Sequence, residues 1–185
     1  MGKLTLKDAI TVRPASLLNA ADIAHIHLNC WKNNYKGIID QSFLDTLTLE
    51  DRLKNRQKIL KESTDIHFIA LYQNKIVGFC DAGHFYFRTN QKLSTEQRNN
   101  RNEPGEIYSM YVSPEYQNRG IGKFLFEQAR NELNNKGLIP FIIWTLKDNQ
   151  ASCQFYESLG GIRIDEMVRS FGGREYSQVA YRLEQ

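Results

Sequence analysis

A short glycine-containing segment, Gln117-Asn118-Arg119-Gly120-Ile121-Gly122, combines residue types and spacing that predict a ligand-binding site. It follows an apolar run typical of a strand and precedes an amphipathic pattern typical of a helix. The first turn of a helix leaves backbone N–H groups without intrahelical acceptors, and the helix dipole adds partial positive charge there. Arg119 and Lys123 add further positive charge beside the glycines. The segment therefore predicts binding of a phosphate or pyrophosphate.

Two other phosphate-binding motifs do not fit this segment. The Walker motif Gly-x-x-x-x-Gly-Lys-Ser/Thr is absent from the chain. A dinucleotide-binding fingerprint requires a third glycine at position 125, where the chain has Leu125. A nucleotide-binding domain is therefore disfavoured, and a tight turn between strand and helix is the alternative interpretation of the glycines taken alone.

A second block further along the chain carries the more specific signal. It reads Asn149-Gln-Ala-Ser-Cys-Gln-Phe-Tyr156-Glu-Ser-Leu-Gly-Gly161. Together with the run from Val112 to Gly122, it resembles the two motifs of the GNAT N-acetyltransferase superfamily. The first motif is Gln/Arg-x-x-Gly-x-Gly/Ala after a strand that ends in Val-x-Pro, and the second has Asn, Phe-Tyr and Leu-Gly at this spacing. Gly161 replaces the aromatic residue that ends the family's second motif.

The resemblance implies a binding site for acetyl-CoA as co-substrate. In the family, the pantetheine arm pairs with the backbone of a strand, the pyrophosphate binds helix amides, an asparagine holds the arm and a tyrosine protonates the leaving thiolate. In this chain Tyr156 is the implied general acid. The implied cofactor-binding residues are Met110, Tyr111, Val112, Gln117, Asn118, Arg119, Gly120, Ile121, Gly122, Lys123 and Asn149.

Amine acetylation also requires a base, because a free alkylamine has a pKa of about 10 and must lose a proton to attack. Glu106, on the strand before the glycine segment, resembles the catalytic glutamate of the histone-acetylating branch of the family. A solvent-facing carboxylate at a strand end is the alternative interpretation. His84 and a chain of water molecules are the other candidates for the base. The glutamate of the ribosomal-protein branch is replaced by Trp144.

The elements that must position these residues follow in the order β-α-α-β-β-β-α-β-α-β-β. Strands are predicted at about 9–14, 66–73, 76–84, 106–112, 139–146, 162–171 and 175–183. A helix spans about 22–34, a second from residue 42 is expected to split near Leu47-Thr48, and others begin at Gly120 and Asn149. The prediction is one α+β domain over 1–185, with about seven strands in one mixed, mostly antiparallel sheet and flanking helices. A polar stretch at about 88–105 is predicted to be a flexible or functional loop.

The composition is that of an ordinary globular domain. The 185 residues are 41% hydrophobic and 24% charged, with a formal net charge of +3. These values exclude a strongly charged disordered chain and argue against a nucleic-acid partner. The cysteines Cys30, Cys80 and Cys153 form no CxxC pair, so no metal site or disulfide framework is predicted. No apolar run suits a membrane span and no secretion signal is recognisable, which favours the cytoplasm.

The sequence also predicts the environments of several other polar and aromatic residues. The basic run from Arg52 to Lys61 is expected to form a solvated helix face, and His67 to be exposed on a strand. By resemblance, Trp31, Tyr35 and the turn around Gly37 fall where the family builds its acceptor wall, with core packing as the alternative. Tyr176 and Tyr181 on the last hairpin are further candidates for the acceptor site.

The sequence therefore predicts an N-acetyltransferase that moves the acetyl group of acetyl-CoA directly to a primary amine. A non-catalytic acyl-CoA-binding sensor is the alternative function. The acceptor, a small molecule or a protein, is left open, because acceptor sites differ widely on one fold. A homodimer is a further expectation, since dimers are common in the family.

Overall fold

A computed structural model describes residues 9–85 and 105–184. The loop predicted at about 88–105 lies outside these residues except for Gly105, and so does the N-terminal segment 1–8. The described residues form five α-helices, two short 3₁₀ helices and one seven-stranded sheet. The strands are β1 (Ile10–Pro14), β2 (Ile66–Tyr72), β3 (Lys75–His84), β4 (Gly105–Val112), β5 (Phe141–Leu146), β6 (Ile162–Phe171) and β7 (Arg174–Leu183). The helices are α1 (Ala20–Asn34), α2 (Gln41–Thr46), α3 (Leu49–Glu62), α4 (Ile121–Asn135) and α5 (Gln150–Ser158).

This element order confirms the one predicted from the sequence, including the split of the second helical region. Leu47 adopts an extended conformation after α2, with φ −71° and ψ 120°. Thr48 then caps α3, and its side chain accepts a hydrogen bond from the backbone N–H of Asp51. The break between α2 and α3 therefore has a local cause in one extended residue followed by an N-cap.

The sheet has the strand order β1-β2-β3-β4-β5-β7-β6. All neighbouring strands pair antiparallel except β4 and β5, which are parallel. Helix α4 connects β4 to β5, as a parallel pair requires a crossover. This α+β sheet is mixed and mostly antiparallel, as predicted.

Helices cover the sheet on both faces. Helix α4 buries Ile121, Leu125, Ala129 and Leu133, residues of its apolar stripe, in the larger core. On the other face, α1 packs Ile23, Ile26 and Cys30 against strand residues. The side chains of β4 alternate between these two faces, so that Met110 contacts the α4 core and Tyr111 contacts the α1 core.

Among residues 9–85 and 105–184, no helix is long and apolar enough to cross a membrane. All three cysteines are buried and none is in a disulfide.

Candidate active site

Strands β4 and β5 pair only where they begin. Residues 105–107 are in register with 141–143, and within the described residues the pairing ends there. On its other side β4 stays paired with β3 as far as Val112, and β5 stays paired with β7 as far as Leu146. The two parallel strands therefore diverge, and one edge of β4 from Tyr108 onward faces a gap.

One cavity of about 320 Å³ lies between the end of β4, the glycine segment and α5. We call it the loop cavity. It brings together nine of the residues predicted to bind acetyl-CoA or to act on it, and five that the sequence analysis did not identify. The predicted ones are Met110, Tyr111, Val112, Gln117, Asn118, Gly120, Gly122, Asn149 and Tyr156; the others are Asn34, Tyr116, Ala151, Ser152 and Phe155.

The backbone of the glycine segment turns sharply before α4. Gly120 has a φ of 81° and Asn118 a φ of 59°, both in the left-handed region. No side chain caps the helix at Gly120, so the N–H groups of Ile121, Gly122 and Lys123 have no acceptor within the helix. A Cβ at position 122 would lie 3.5 Å from Phe155, an ordinary contact, so packing inside the chain does not require glycine there. Free amides at a helix N-terminus form an anion site.

Three predicted cofactor residues do not line the loop cavity. Ile121 is 1% exposed and packs in the core, so only its backbone is available to a ligand. Lys123 is exposed beside the cavity. Arg119 is also exposed, donates to the backbone carbonyl of Glu115 at 2.9 Å and lies 5.4 Å from the centroid of the Tyr116 ring.

Gln117 ties the glycine segment to the end of β4. Its Nε2 donates to the carbonyl oxygen of Val112 at 2.9 Å and lies 3.4 Å from Oδ1 of Asn34. The Sγ of Cys30 also donates to the Val112 carbonyl, at 3.3 Å. That carbonyl therefore already has protein partners, and the role of Gln117 in this geometry is to hold the loop in place.

Helix α5 supplies the other wall of the loop cavity. Asn149 caps this helix, and its Oδ1 accepts from the backbone N–H of Ser152 at 3.2 Å. Tyr156 lies about two turns beyond Asn149 and is 6% exposed. Burial, followed by the electrostatic effect of Tyr111, raises the pKa of Tyr156 well above its ordinary value. The phenol is therefore protonated at neutral pH and able to donate.

A second cavity, of about 400 Å³, lies on the α1 side of the gap and is rich in aromatic side chains. We call it the aromatic cavity. Among the described residues, those that line this cavity include two arginines and no aspartate or glutamate. The lining residues are His27, Trp31, Tyr35, Ile39, Phe43, Arg52, Tyr108, Ser109, Tyr111, Trp144, Thr145, Leu146, Arg169, Phe171 and Gln178.

A smaller space of about 60 Å³ lies between the diverging strands. We call it the slot. It shares Met110, Asn149 and Tyr156 with the loop cavity, and Tyr108, Ser109 and Trp144 with the aromatic cavity. The slot therefore lies between the two cavities, and Tyr156 belongs to the wall that the slot shares with the loop cavity.

Hydrogen-bonded aromatic residues form the wall between α1 and β4. Trp31 Nε1 donates to the hydroxyl of Tyr111 at 3.1 Å, and the hydroxyls of Tyr35 and Tyr111 lie 3.2 Å apart. Burial raises the pKa of Tyr35 and of Tyr111. Trp31 and Tyr35 line the aromatic cavity, whereas Gly37, Tyr176 and Tyr181 do not, and the predicted role of these residues in an acceptor site stays a prediction.

The expectation of a solvated basic face on α3 is wrong for two of its residues. Arg52 is half-buried and lines the aromatic cavity, where its guanidinium carbon lies 4.8 Å from the centroid of the Trp31 ring. Arg56 is 4% exposed and donates to both carboxylate oxygens of Asp81, at 2.8 and 2.9 Å. The charge pattern did not reveal these positions because the two side chains face the sheet rather than solvent.

Asp81 is the centre of a buried polar network that the sequence analysis missed. It accepts hydrogen bonds from Arg56, from His67 Nδ1 at 2.7 Å and from Ser109 Oγ at 2.5 Å. Burial alone would raise the pKa of Asp81, but the hydrogen bond from His67 and the charge of Arg56 hold it below its ordinary value. The side chain of His67 is only 10% exposed, so its expected exposure is also wrong.

The candidate bases lie apart from the three cavities. Glu106 is 1% exposed on β4, in register with Gly83 and Ile142, and is not among the residues that line the cavities or the slot. His84 is half-buried at the end of β3 and also does not line them. Glu106 is thus buried rather than solvent-facing, and its predicted role as base stays a prediction.

The diverging parallel pair, with a glycine loop and helix N-terminus beside it, defines the class of acyl-CoA N-acyltransferase folds. The sequence profile of the acetyltransferase (GNAT) family matches residues 23–161. The chain therefore belongs to the acetyltransferase (GNAT) family. The family, the fold class and the class of enzyme predicted from the sequence are confirmed.

Individual proteins show the same similarity over most of the chain. The uncharacterised N-acetyltransferase YuaI of Bacillus subtilis is 28% identical over 161 residues, which cover 85% of this chain and 83% of that protein. A spermidine N(1)-acetyltransferase of Thermoplasma acidophilum is 22% identical over 165 residues, covering 85% and 91% of the two chains. The structure of YncA from Salmonella typhimurium with its cofactor acetyl-CoA has a TM-score of 0.66 at 19% identity, covering 95% and 94%.

Proposed function

We propose that this protein transfers the acetyl group of acetyl-CoA directly to a primary amine, with the cofactor in the loop cavity and the amine in the aromatic cavity. The observation that carries the proposal is the slot, which lies between the two cavities where β4 and β5 diverge and has Tyr156 in its wall. Two substrates held on either side of such a passage can present their reacting atoms to each other within it. Proximity of this kind is a major source of rate enhancement.

The residues of the loop cavity fit the parts of acetyl-CoA. The free amides from Ile121 to Lys123 suit a pyrophosphate, and the exposed Arg119 and Lys123 add positive charge nearby. The edge of β4 that β5 leaves unpaired suits an extended amide chain, which would hydrogen-bond as an added strand does. The acetyl-CoA bound to YncA, a structure of similar fold, supports the same assignment.

Acetyl-CoA supplies an acetyl group on a thioester, and the reaction exchanges sulfur for nitrogen on the acetyl carbon. The amine loses one proton in this exchange and the thiolate gains one. Tyr156 is the proposed donor of the second proton, since its phenol lies in the slot and is protonated at neutral pH.

The group that takes the proton from the amine is proposed to be Glu106, His84 or a chain of water molecules, as predicted from the sequence. Asp81 is unsuited to this task because three donors hold its pKa down. Replacement of Glu106 by Gln is expected to alter the pH profile of kcat/KM if Glu106 is the base. An unchanged profile would leave His84 or water.

The proposed activity is tested by incubating the purified protein with acetyl-CoA and a panel of primary amines. Release of free thiol and the mass of the acetylated product are both measured. Amine-dependent formation of both products is the expected result. Stabilisation by acetyl-CoA without turnover of any amine would instead support the sensor predicted as the alternative, and absence of both would refute the cofactor assignment.

The acceptor, the location and the oligomeric state are not fixed by family membership. The similarity to a spermidine N(1)-acetyltransferase makes small amines the first class to test.

The cytoplasmic location, the single domain over 1–185 and the homodimer stay predictions. Sedimentation of the purified protein tests the homodimer directly.

A further inference from the structure

Arg52 has no ion-pair partner among the described residues, although the charge of Asp51 acts on it from the same helix. It is half-buried in the aromatic cavity, and no carboxylate of residues 9–85 or 105–184 lies within ion-pair distance of its guanidinium. Burial, with the neighbouring charge of Arg56 as a further cause, lowers the pKa of Arg52. A partly desolvated cation without a counter-ion is costly, and a bound anion would offset that cost.

The guanidinium of Arg52 is also held in a fixed position. It stacks over the Trp31 ring, and its Nη1 lies 3.5 Å from Nε2 of His27. Burial and the charges of Arg52 and Arg56 lower the pKa of His27 to about 3, so the ring is neutral and its unprotonated nitrogen is able to accept. The remaining N–H donors of Arg52 have no acceptor among the described residues, and a fixed planar fork of donors suits an oxyanion.

A second arginine lines the same cavity from another element. Arg169 on β6 is exposed and lies 5.3 Å from the centroid of the Phe171 ring, and it likewise forms no ion pair with a described carboxylate. Both charged side chains of the described lining are therefore positive. A ligand with several positive charges would be repelled here, whereas one with an oxyanion would be attracted.

Gln178 adds an unused acceptor to the cavity. Its side chain is 7% exposed, and its Oε1 is buried without a hydrogen-bond partner among the described residues. A buried acceptor left unpaired costs free energy, so a ligand that donates an N–H to it is favoured. The cavity thus offers cationic donors and one neutral acceptor within an aromatic wall.

We infer that the aromatic cavity selects an amine that also carries an oxyanion, a carboxylate or a phosphoryl group, with Arg52 and Arg169 holding the anion. This inference rests on the proposed function and narrows its acceptor class. The uncharged part of the acceptor packs against the aromatic rings, and the amine faces the slot. Plain monoamines and polyamines are consequently poor acceptors.

The test compares acceptors that differ only in the anion. L-phenylalanine is paired with phenethylamine and phosphoethanolamine with ethanolamine, and spermidine represents a polycation. At least one anionic acceptor is expected to exceed its uncharged partner at least tenfold in kcat/KM, since a hydrogen bond to a charged group is worth that much. The two pairs separate a preference for carboxylate from one for phosphoryl. Equal values within both pairs, or preferential use of spermidine, would overturn the inference while leaving amine acetylation intact.

The variant Arg52→Gln should raise KM for the anionic acceptor at least tenfold and raise KM for phenethylamine by a much smaller factor. Arg52→Lys should recover part of the loss, because it retains the charge without the planar fork. Lys58→Gln, an equal loss of charge at an exposed position of the same helix, should change neither acceptor. Equal loss with both acceptors in Arg52→Gln would contradict the anion-binding role.

A binding measurement separates failure of this inference from failure of the proposed function. Calorimetric titration of N-acetyl-L-phenylalanine and of O-phosphoethanolamine into the wild-type protein with CoA should show binding of at least one. The heat should be lost in Arg52→Gln, with thermal melting used to confirm folding. Such binding without turnover would refute the transferase activity alone, whereas turnover of amines with no Arg52-dependent binding would refute the anion site alone.

Discussion

The hydroxyl of Ser109 donates a hydrogen bond to the carboxylate of Asp81, with 2.5 Å between Oγ and Oδ2. Ser109 also lines the slot and the aromatic cavity. Because its proton is directed to Asp81, the lone pairs of its oxygen are left to accept from another donor. An acceptor amine that enters the slot is such a donor.

The variant Ser109→Ala is therefore expected to lower kcat/KM about tenfold. This factor corresponds to about 1.4 kcal/mol, the free energy of one hydrogen bond to a charged or polarised donor. Steady-state kinetics with the best acceptor measure this effect. Ser177→Ala, which removes a hydroxyl from a β7 residue outside the cavities, provides the matched control. Equal kinetics in wild type and Ser109→Ala would remove Ser109 from the positioning of the amine.

The variant Tyr156→Phe should lower kcat by a factor of about 10² to 10⁴, the usual contribution of a general acid. Binding of acetyl-CoA should change little, because only one hydroxyl is lost from a large cavity. Thermal-shift titration measures the binding, and thiol release measures the turnover. Tyr72→Phe, the same change on a strand outside the three cavities, should behave as wild type. Retained turnover in Tyr156→Phe would assign the proton donation to another group.

Removal of the Asp81 charge should destabilise the fold. The variant Asp81→Asn leaves Arg56, which is 4% exposed, without its carboxylate, and a broken buried ion pair costs about 3–5 kcal/mol. Glu50→Gln breaks an exposed pair with Lys54 and should cost no more than about 1 kcal/mol. Urea unfolding compares the two variants, and a similar small loss in both would show that the network adds no stability.

The same carboxylate gives a pH dependence with a definite sign. Because the pKa of Asp81 is lower in the folded protein than in the unfolded chain, its contribution is present above about pH 4 and is lost as pH falls below that value.

His27 predicts a second pH dependence, at higher pH. Its folded pKa of about 3 lies below the ordinary value of 6.5, so the unfolded chain binds a proton that the folded protein does not. The free energy of unfolding should therefore fall as pH drops below about 6.5, by at most about 1.4 kcal/mol per pH unit. His27→Gln should flatten this region of the profile, whereas His25→Gln, exposed on the same helix, should not. Parallel profiles of unfolding free energy against pH for wild type and His27→Gln would show that the folded protein does not hold His27 neutral.

Much of the fold and of the lining of the loop cavity could be predicted because the signals are local. Gly120 and Asn149 stand at the starts of helices, and their roles in the backbone depend on their immediate neighbours. The position of Tyr156 follows from its place about two helical turns beyond Asn149. Sequence patterns of this kind need no knowledge of distant contacts.

Most of the aromatic cavity and the network around Asp81 could not be predicted, because both are assembled from distant elements. Arg56 and Asp81 are 25 positions apart and meet only when α3 packs on β3. A bulge also disturbs the alternation of β4, since Asp81 pairs with Ser109 and Ala82 pairs with Ile107. The β3–β4 register skips position 108 at this bulge, and Tyr108 and Ser109 both line the aromatic cavity although they are adjacent in sequence.

The slot between β4 and β5 has a consequence for the order of chemical events. Because the slot lies between the loop cavity and the aromatic cavity, acetyl-CoA and the amine would occupy different spaces and could be bound at once. None of the three cysteines lines the loop cavity, the aromatic cavity or the slot, and burial raises the pKa of Cys30 to about 12, so no cysteine is placed to carry the acetyl group between them. Initial-rate plots at varied acetyl-CoA and amine should therefore give intersecting lines, the pattern of a ternary complex, and parallel lines would instead indicate a ping-pong reaction through an acetylated enzyme.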